Sequence, residues 1–123
     1  MISKTKKHIR KTVWSMQNAI RGIYFATRSE RNLRIELTIF LLTIILGVYV
    51  QLSYIEFAVV FLAGCSVLGA ELLNTAIEES WNKLHPDMHD SVGRIKDIAS
   101  GGVFIMGFGA ALAGTFIFLH HIV

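Results

Sequence analysis

The sequence holds one proline and one cysteine in 123 residues, and only 17% of its residues are Asp, Glu, Lys or Arg. Each shortage excludes something. With Pro86 as the sole proline, the rest of the chain is free to run in long uninterrupted helices. A lone Cys65 rules out an intrachain disulfide and any cysteine-based metal site. Its place in the charge-free run "FAVVFLAGCSVLG" makes it read as a small buried apolar side chain. A soluble domain carries charge on about a quarter of its residues. Here that share is replaced by 53% hydrophobic residues and a mean hydropathy of +0.52, which points to an integral membrane protein. Also missing are a P-loop, a dinucleotide-binding glycine pattern and a GxSxG turn, so any nucleotide would have to be held by metal and basic side chains. The opening "MISKTKKHIRKTVW" is basic, but the first long apolar run begins only near Leu37, too far along for a signal peptide, and it reads as part of the mature protein.

What is present reads as one all-α membrane domain over residues 1–123. Three stretches, about 33–52, 55–77 and 98–121, are long and apolar enough to cross a bilayer. Nine of the 12 Lys and Arg lie at or before the head of the first span, and the other three, Lys83, Arg94 and Lys96, fall between the second and third. The 51–55 turn and the C-terminal tail carry none, so both basic segments are expected in the cytoplasm of a bacterial cell, with the protein in the inner membrane and its N-terminus inside. Ahead of the first span, within residues 1–31, "WSMQNAIRGIYFATRSERN" sets Trp14, Ala19, Ile20, Ile23 and Tyr24, with Phe25 beside them, among basic side chains. That suits an amphipathic helix lying in the membrane interface, which would either orient the protein or gate the entry of lipid. The third span is rich in small residues, among them Gly107, Ala110, Ala111 and Gly114, whose four-residue spacing lets helices approach closely. Three spans enclose little interior by themselves, so a homo-oligomer is the expected way to surround polar residues.

Such residues exist. In "AELLNTAIEESWN", Glu71, Asn74 and Glu78 stand three and seven apart, hence on one helix face. Glu30 just before the first span and Asp97 at the head of the third would meet them at one membrane depth, with Glu36 and Glu79 near the same boundary. Ionisable groups at that depth are functional candidates. Carboxylates gathered without Cys or His suit a hard cation such as Mg²⁺, which Glu30 and Glu78 are placed to bind. Glu71, deeper and less solvated, is a candidate general base. Asn74 is a candidate holder of a phosphate or carboxylate, and Arg94 and Lys96 are candidates to neutralise phosphate. The alternative at Glu71 and Asn74 is interhelical hydrogen bonding alone. "LHPDMHD" offers His85, Asp87, His89 and Asp90, read as a polar turn rather than a metal site, and His120 and His121 fall at headgroup level. A non-enzymatic scaffold would account for the glycines and the basic helix but not for the carboxylates with Lys96. An ion channel would need polar residues throughout its spans, and the first has only Glu36, Thr38 and Thr43 before its outer end.

"ELLNTAIE" followed by "GRIKDIASG" carries a resemblance. Over about residues 14–121 the chain resembles the small prokaryotic integral-membrane diacylglycerol kinases, a family that includes undecaprenol kinases. "RGIYFATRSERNLRI" looks like the undecaprenol branch and "SVGRIKD" is closer to the diacylglycerol branch. The resemblance implies a lipid kinase that works as a homotrimer with shared active sites. It would move the γ-phosphoryl group of Mg-ATP to a lipid alcohol, expected to be undecaprenol, with diacylglycerol as the alternative and no nucleic-acid partner. By motif position it makes Glu71 the base, Glu30 and Glu78 the metal ligands, and Asn74, Glu78, Arg94, Lys96 and Asp97 the nucleotide-binding residues. Glu71, Ser100 and Arg31 fall to the lipid alcohol. One departure is Asn82, where the family often has Asp.

Overall fold

The computed structural model describes residues 2–84 and 90–123, and within them the backbone is almost entirely helical. Four helices follow one another: α1 (Ile2–Ser29), α2 (Arg31–Val50), α3 (Tyr54–Leu84) and α4 (Asp90–Ile122). The first is the amphipathic helix and the other three are long and apolar enough to cross a membrane. His85, Asp87 and His89 lie outside the described residues, as does the side chain of Asp90.

A single residue separates α1 from α2. Glu30 takes an extended conformation (φ −108°, ψ 117°) as the N-cap of α2. The corner is held by Arg34, whose Nη1 donates to the carbonyls of Thr27 at 3.1 Å and Arg28 at 2.7 Å. One guanidinium thus satisfies two of the carbonyls that the last turn of α1 leaves without an intrahelical partner. Ala26 and Leu33, on either side of the break, are buried. The helix occupies nearly all of the expected residues 1–31, and its apolar stripe runs Ile9, Val13, Met16, Ile20, Ile23. At 100° per residue, Trp14 and Phe25 project from a different side.

The α2–α3 connection is built with two local devices. Gln51 adopts the left-handed conformation (φ 61°, ψ 58°). Its N–H donates to Val48 O, and the Leu52 N–H donates to Gly47 O, the bonding pattern of a Schellman motif. Leu52 folds back over Gly47, where a Cβ would stand 2.8 Å from its Cδ1. Then Ser53 and Glu56 form a reciprocal capping box: the Glu56 N–H donates to Ser53 Oγ at 3.2 Å, and the Ser53 N–H donates to Glu56 Oε1 at 3.0 Å. At the same end, His121 Nε2 of α4 reaches Glu56 Oε2 at 2.8 Å.

The spans pack in sequence, α2 on α3 and α3 on α4. Phe40 of α2 lies against Gly64 of α3 and meets Phe61 edge-on, with ring centroids 5.8 Å apart. Hydroxyls inside the spans return to their own helices. Thr38, Thr43, Ser66, Thr75 and Thr115 each donate to the carbonyl four residues earlier, which satisfies them in hydrocarbon. At 31 and 33 residues, α3 and α4 are about 46–50 Å long, well beyond the ~30 Å of a bilayer core. The second span therefore continues as helix past Ile77, through Glu78, Glu79 and Lys83, and α4 begins before Ile98.

The single chain encloses little. It exposes 9779 Å², against about 6,600 Å² for a soluble monomer of its mass. Cys65 is exposed rather than buried, because it faces away from the packed seams. The glycines of α4 do not bring helices together within the chain either: a Cβ built on Gly101, Gly102, Gly107, Gly109 or Gly114 would meet nothing within 4 Å. Close approach occurs instead at Gly47 and Gly64.

Candidate active site

Glu71 is the most buried ionisable side chain among the described residues, 4% exposed. It stands 17 residues beyond Tyr54, about 25 Å along a helix long and apolar enough to cross a membrane. Glu36 reaches a similar depth on α2, five residues in from Arg31. The i, i+3 spacing carries Asn74 to the same side of α3 as Glu71. Thr75, 7% exposed, is bonded to the Glu71 carbonyl at 2.9 Å and fixes that turn.

These side chains share a cavity of about 440 Å³ lined by Asn32 and Glu36 from α2, Glu71 and Asn74 from α3, and Ser100, Val103, Phe104, Gly107 and Phe108 from α4. Two of its polar atoms, Glu36 Oε2 and Asn74 Oδ1, are buried without a hydrogen-bond partner. Buried polar atoms are nearly always paired, and unpaired ones in a cavity wall are available to a ligand. A second cavity of about 580 Å³, mostly apolar, runs between α2, α3 and α4 along Phe40, Val60, Gly64 and Phe118. Glu36 and Gly107 line both spaces, so a polar pocket adjoins an apolar groove at one carboxylate.

The electrostatics tie the acidic residues together. Glu71 feels the charges of Glu30 and Glu78, and Glu36 feels that of Glu71. Glu30, at the α1–α2 corner, and Glu78, two turns beyond Glu71, are both half-buried. Among the described residues no three His, Cys, Asp or Glu side chains converge as a ready-made metal site.

The structure thus brings Glu71, Asn74 and Ser100 into one pocket and sets Glu30 and Glu78 within electrostatic reach. Arg31, Arg94 and Asp97 are exposed and do not line it. Lys96, half-buried on α4, donates from Nζ to Asn82 Oδ1 of α3 at 2.7 Å. The departure at Asn82 therefore keeps a polar bridge between α3 and α4, made with an amide oxygen. Sequence reasoning gave no role to Asn32 or Glu36. The available signal was an acid six residues beyond Glu30 inside an apolar span, where only a partner or a ligand offsets its burial.

Comparison with known proteins agrees with this architecture. The sequence model of a family described as "Prokaryotic diacylglycerol kinase" matches residues 17–118. The chain is 34% identical over 105 residues to an undecaprenol kinase of Bacillus subtilis, covering 85% of each protein. It is 30% identical over 118 residues to a diacylglycerol kinase of a Synechocystis species, covering 89% of this chain and 67% of that one.

Proposed function

The chain belongs to the prokaryotic diacylglycerol kinase family, and on that premise we propose that it transfers the γ-phosphoryl group of ATP to undecaprenol at the cytoplasmic face of the bacterial inner membrane. The observation that carries this reading is the junction at Glu36. A pocket holding the buried Glu71 and two unpaired polar atoms opens beside an apolar groove. Such a pair of spaces suits a molecule with one hydroxyl and a long hydrocarbon tail.

Glu71 is the proposed base. Its carboxylate takes the proton of the acceptor hydroxyl as the oxygen attacks the γ-phosphorus, the bond to the β-phosphate oxygen breaks, and ADP leaves. Asn74 and Ser100 are placed to orient the hydroxyl, and burial of Glu71 keeps competing water from the attacking position. Glu30 and Glu78 would hold Mg²⁺, which takes oxygen donors, one or two carboxylates completed by phosphate. Bound with the nucleotide, Mg²⁺ neutralises phosphate charge. Lys96, Arg94 and Asp97 sit one to two turns before Ser100 on α4, toward the end where α3 and α4 leave the bilayer, and are proposed to contact the nucleotide with Asn74 and Glu78. Arg31, at the head of α2, is proposed to meet the lipid's headgroup region.

The placement of Lys and Arg supports a cytoplasmic N-terminus, and the open face of α4 supports assembly, proposed here as a homotrimer. Undecaprenol is preferred as acceptor because Ile23, Tyr24, Phe25 and Ala26, within "RGIYFATRSERN", offer few polar partners, whereas a site built for diacylglycerol esters would need such partners and would reject a lipid lacking them by about 10⁴-fold in the best cases. The test is the ratio of kcat/KM for undecaprenol and diacylglycerol in one lipid system. A ratio above one supports the assignment, and a ratio below one moves it to diacylglycerol. Transfer to neither would end the proposal.

A further inference from the structure

Residues 4–11 lie ahead of the family match, which begins at residue 17. Five of them, Lys4, Lys6, Lys7, Arg10 and Lys11, are basic, and they form the opening turns of α1. The whole of α1 contains no Asp or Glu, and none of the five makes an ion pair with another of the described residues. All are exposed. Lys4, Lys7 and Lys11 fall three and four residues apart, and Arg10 lies three from Lys7 and four from Lys6, so like charges repel along the helix and oppose its formation in water. A helix patterned this way needs a negative surface to sit against.

The same turns carry the stripe Ile9, Val13, Met16, Ile20 and Ile23, spaced four, three, four and three, each 47–65% exposed. At 100° per residue these five fall within an arc of about 80°. Lys4, Lys7 and Lys11 project from the opposite side, and Lys6 and Arg10 border the stripe along one edge, where long side chains extend sideways from a half-sunk helix. The far end of α1 is tied by Arg34 and the buried Ala26 to the point where α2 enters the membrane, which puts the stripe at the hydrocarbon boundary.

We propose that residues 2–16 form an electrostatic dock for the anionic phospholipids of the membrane in which the protein sits. The stripe calls for hydrocarbon and the flanking cations for anions, and an anionic bilayer surface supplies both at one level. A nucleic acid would satisfy the cations and leave the stripe in water. A second copy of the chain would cover the stripe and oppose cation to cation.

The test is amide hydrogen exchange of the full-length protein in nanodiscs of phosphatidylcholine alone and with roughly one-third phosphatidylglycerol, a strongly anionic surface. Exchange of residues 2–16 should slow by about tenfold or more on adding the anionic lipid. Most of that change should vanish at about 0.5 M salt, where screening falls to a few ångströms. Replacing the five basic residues by Gln should abolish the dependence on anionic lipid while exchange in the spans stays as it was. Equal exchange in the two lipids by the unaltered protein overturns the proposal, with no variant needed. So does protection that follows protein density in neutral discs, which would put a second copy on the stripe.

Discussion

The two ends of the helical bundle treat their polar groups in opposite ways. At the α2–α3 hairpin, Ser53 and Glu56 satisfy each other's backbone, and Glu56 is also met by His121. At the other end, Glu36 and Asn74 turn unpaired oxygens into a cavity, and the charges of Glu30, Glu71 and Glu78 repel. The first arrangement stabilises the chain locally and asks nothing of a ligand. The second opposes folding unless a partner from outside the chain meets those oxygens. Polar residues in a membrane protein therefore cannot be ranked by type. Glu56 and Glu71 lie on one helix, and what separates them is whether their partners belong to the chain.

Breaking the contrast at its strongest point, Glu71→Gln should lower the rate of phosphoryl transfer by about 10²–10⁴-fold while the protein still inserts and assembles, since the amide keeps the shape and removes the base. Turnover near that of the unaltered protein would make Glu71 a packing residue. Next, Glu30→Gln and Glu78→Gln should each raise the Mg²⁺ concentration for half-maximal rate by about tenfold or more. An unchanged Mg²⁺ titration in both variants would sink their role as ligands.

Away from both ends, Gly64→Ala should destabilise by about 1–3 kcal/mol, because the new methyl overlaps the Phe40 ring. Denaturation in detergent reads this out, and a neutral result would mean that α2 and α3 are not in register at Gly64. Glu36→Met sharpens the comparison: it removes an unpaired buried carboxylate and should hold or raise thermal stability while activity falls. A loss of stability there would show Glu36 to be a structural group. The smallest effects belong to the hairpin. Ser53→Ala should cost about 1 kcal/mol, and Gln51→Gly should gain about as much by relieving the left-handed backbone, both leaving the rate unchanged.

Much of this was legible in the sequence. Composition and run length located the three spans, and the spacing of Glu71, Asn74 and Glu78 located the polar face. The rest depended on contacts that no local pattern encodes. The break at Glu30 has no glycine or proline to announce it and is set by Arg34 reaching back across the corner. The second span was ended at Ile77 on hydropathy, yet Glu78, Glu79 and Lys83 are good helix formers and the helix continues through them. Asn32 and Glu36 were not assigned because their importance lies in facing Asn74 and Ser100 across a cavity made by three helices. The four-residue spacing of small residues in α4 implied close helix packing, which its glycines do not make within one chain.

The corner at Glu30 has a mechanical meaning. It is the one non-helical residue between a 28-residue amphipathic helix and a 20-residue helix apolar enough to cross a membrane. Any tilt of the first helix against the second must be absorbed in the torsions around that residue, and its carboxylate belongs to the charge group around Glu71. The angle between the two helices and the position of the Glu30 carboxylate are thus set together by the φ and ψ of one residue.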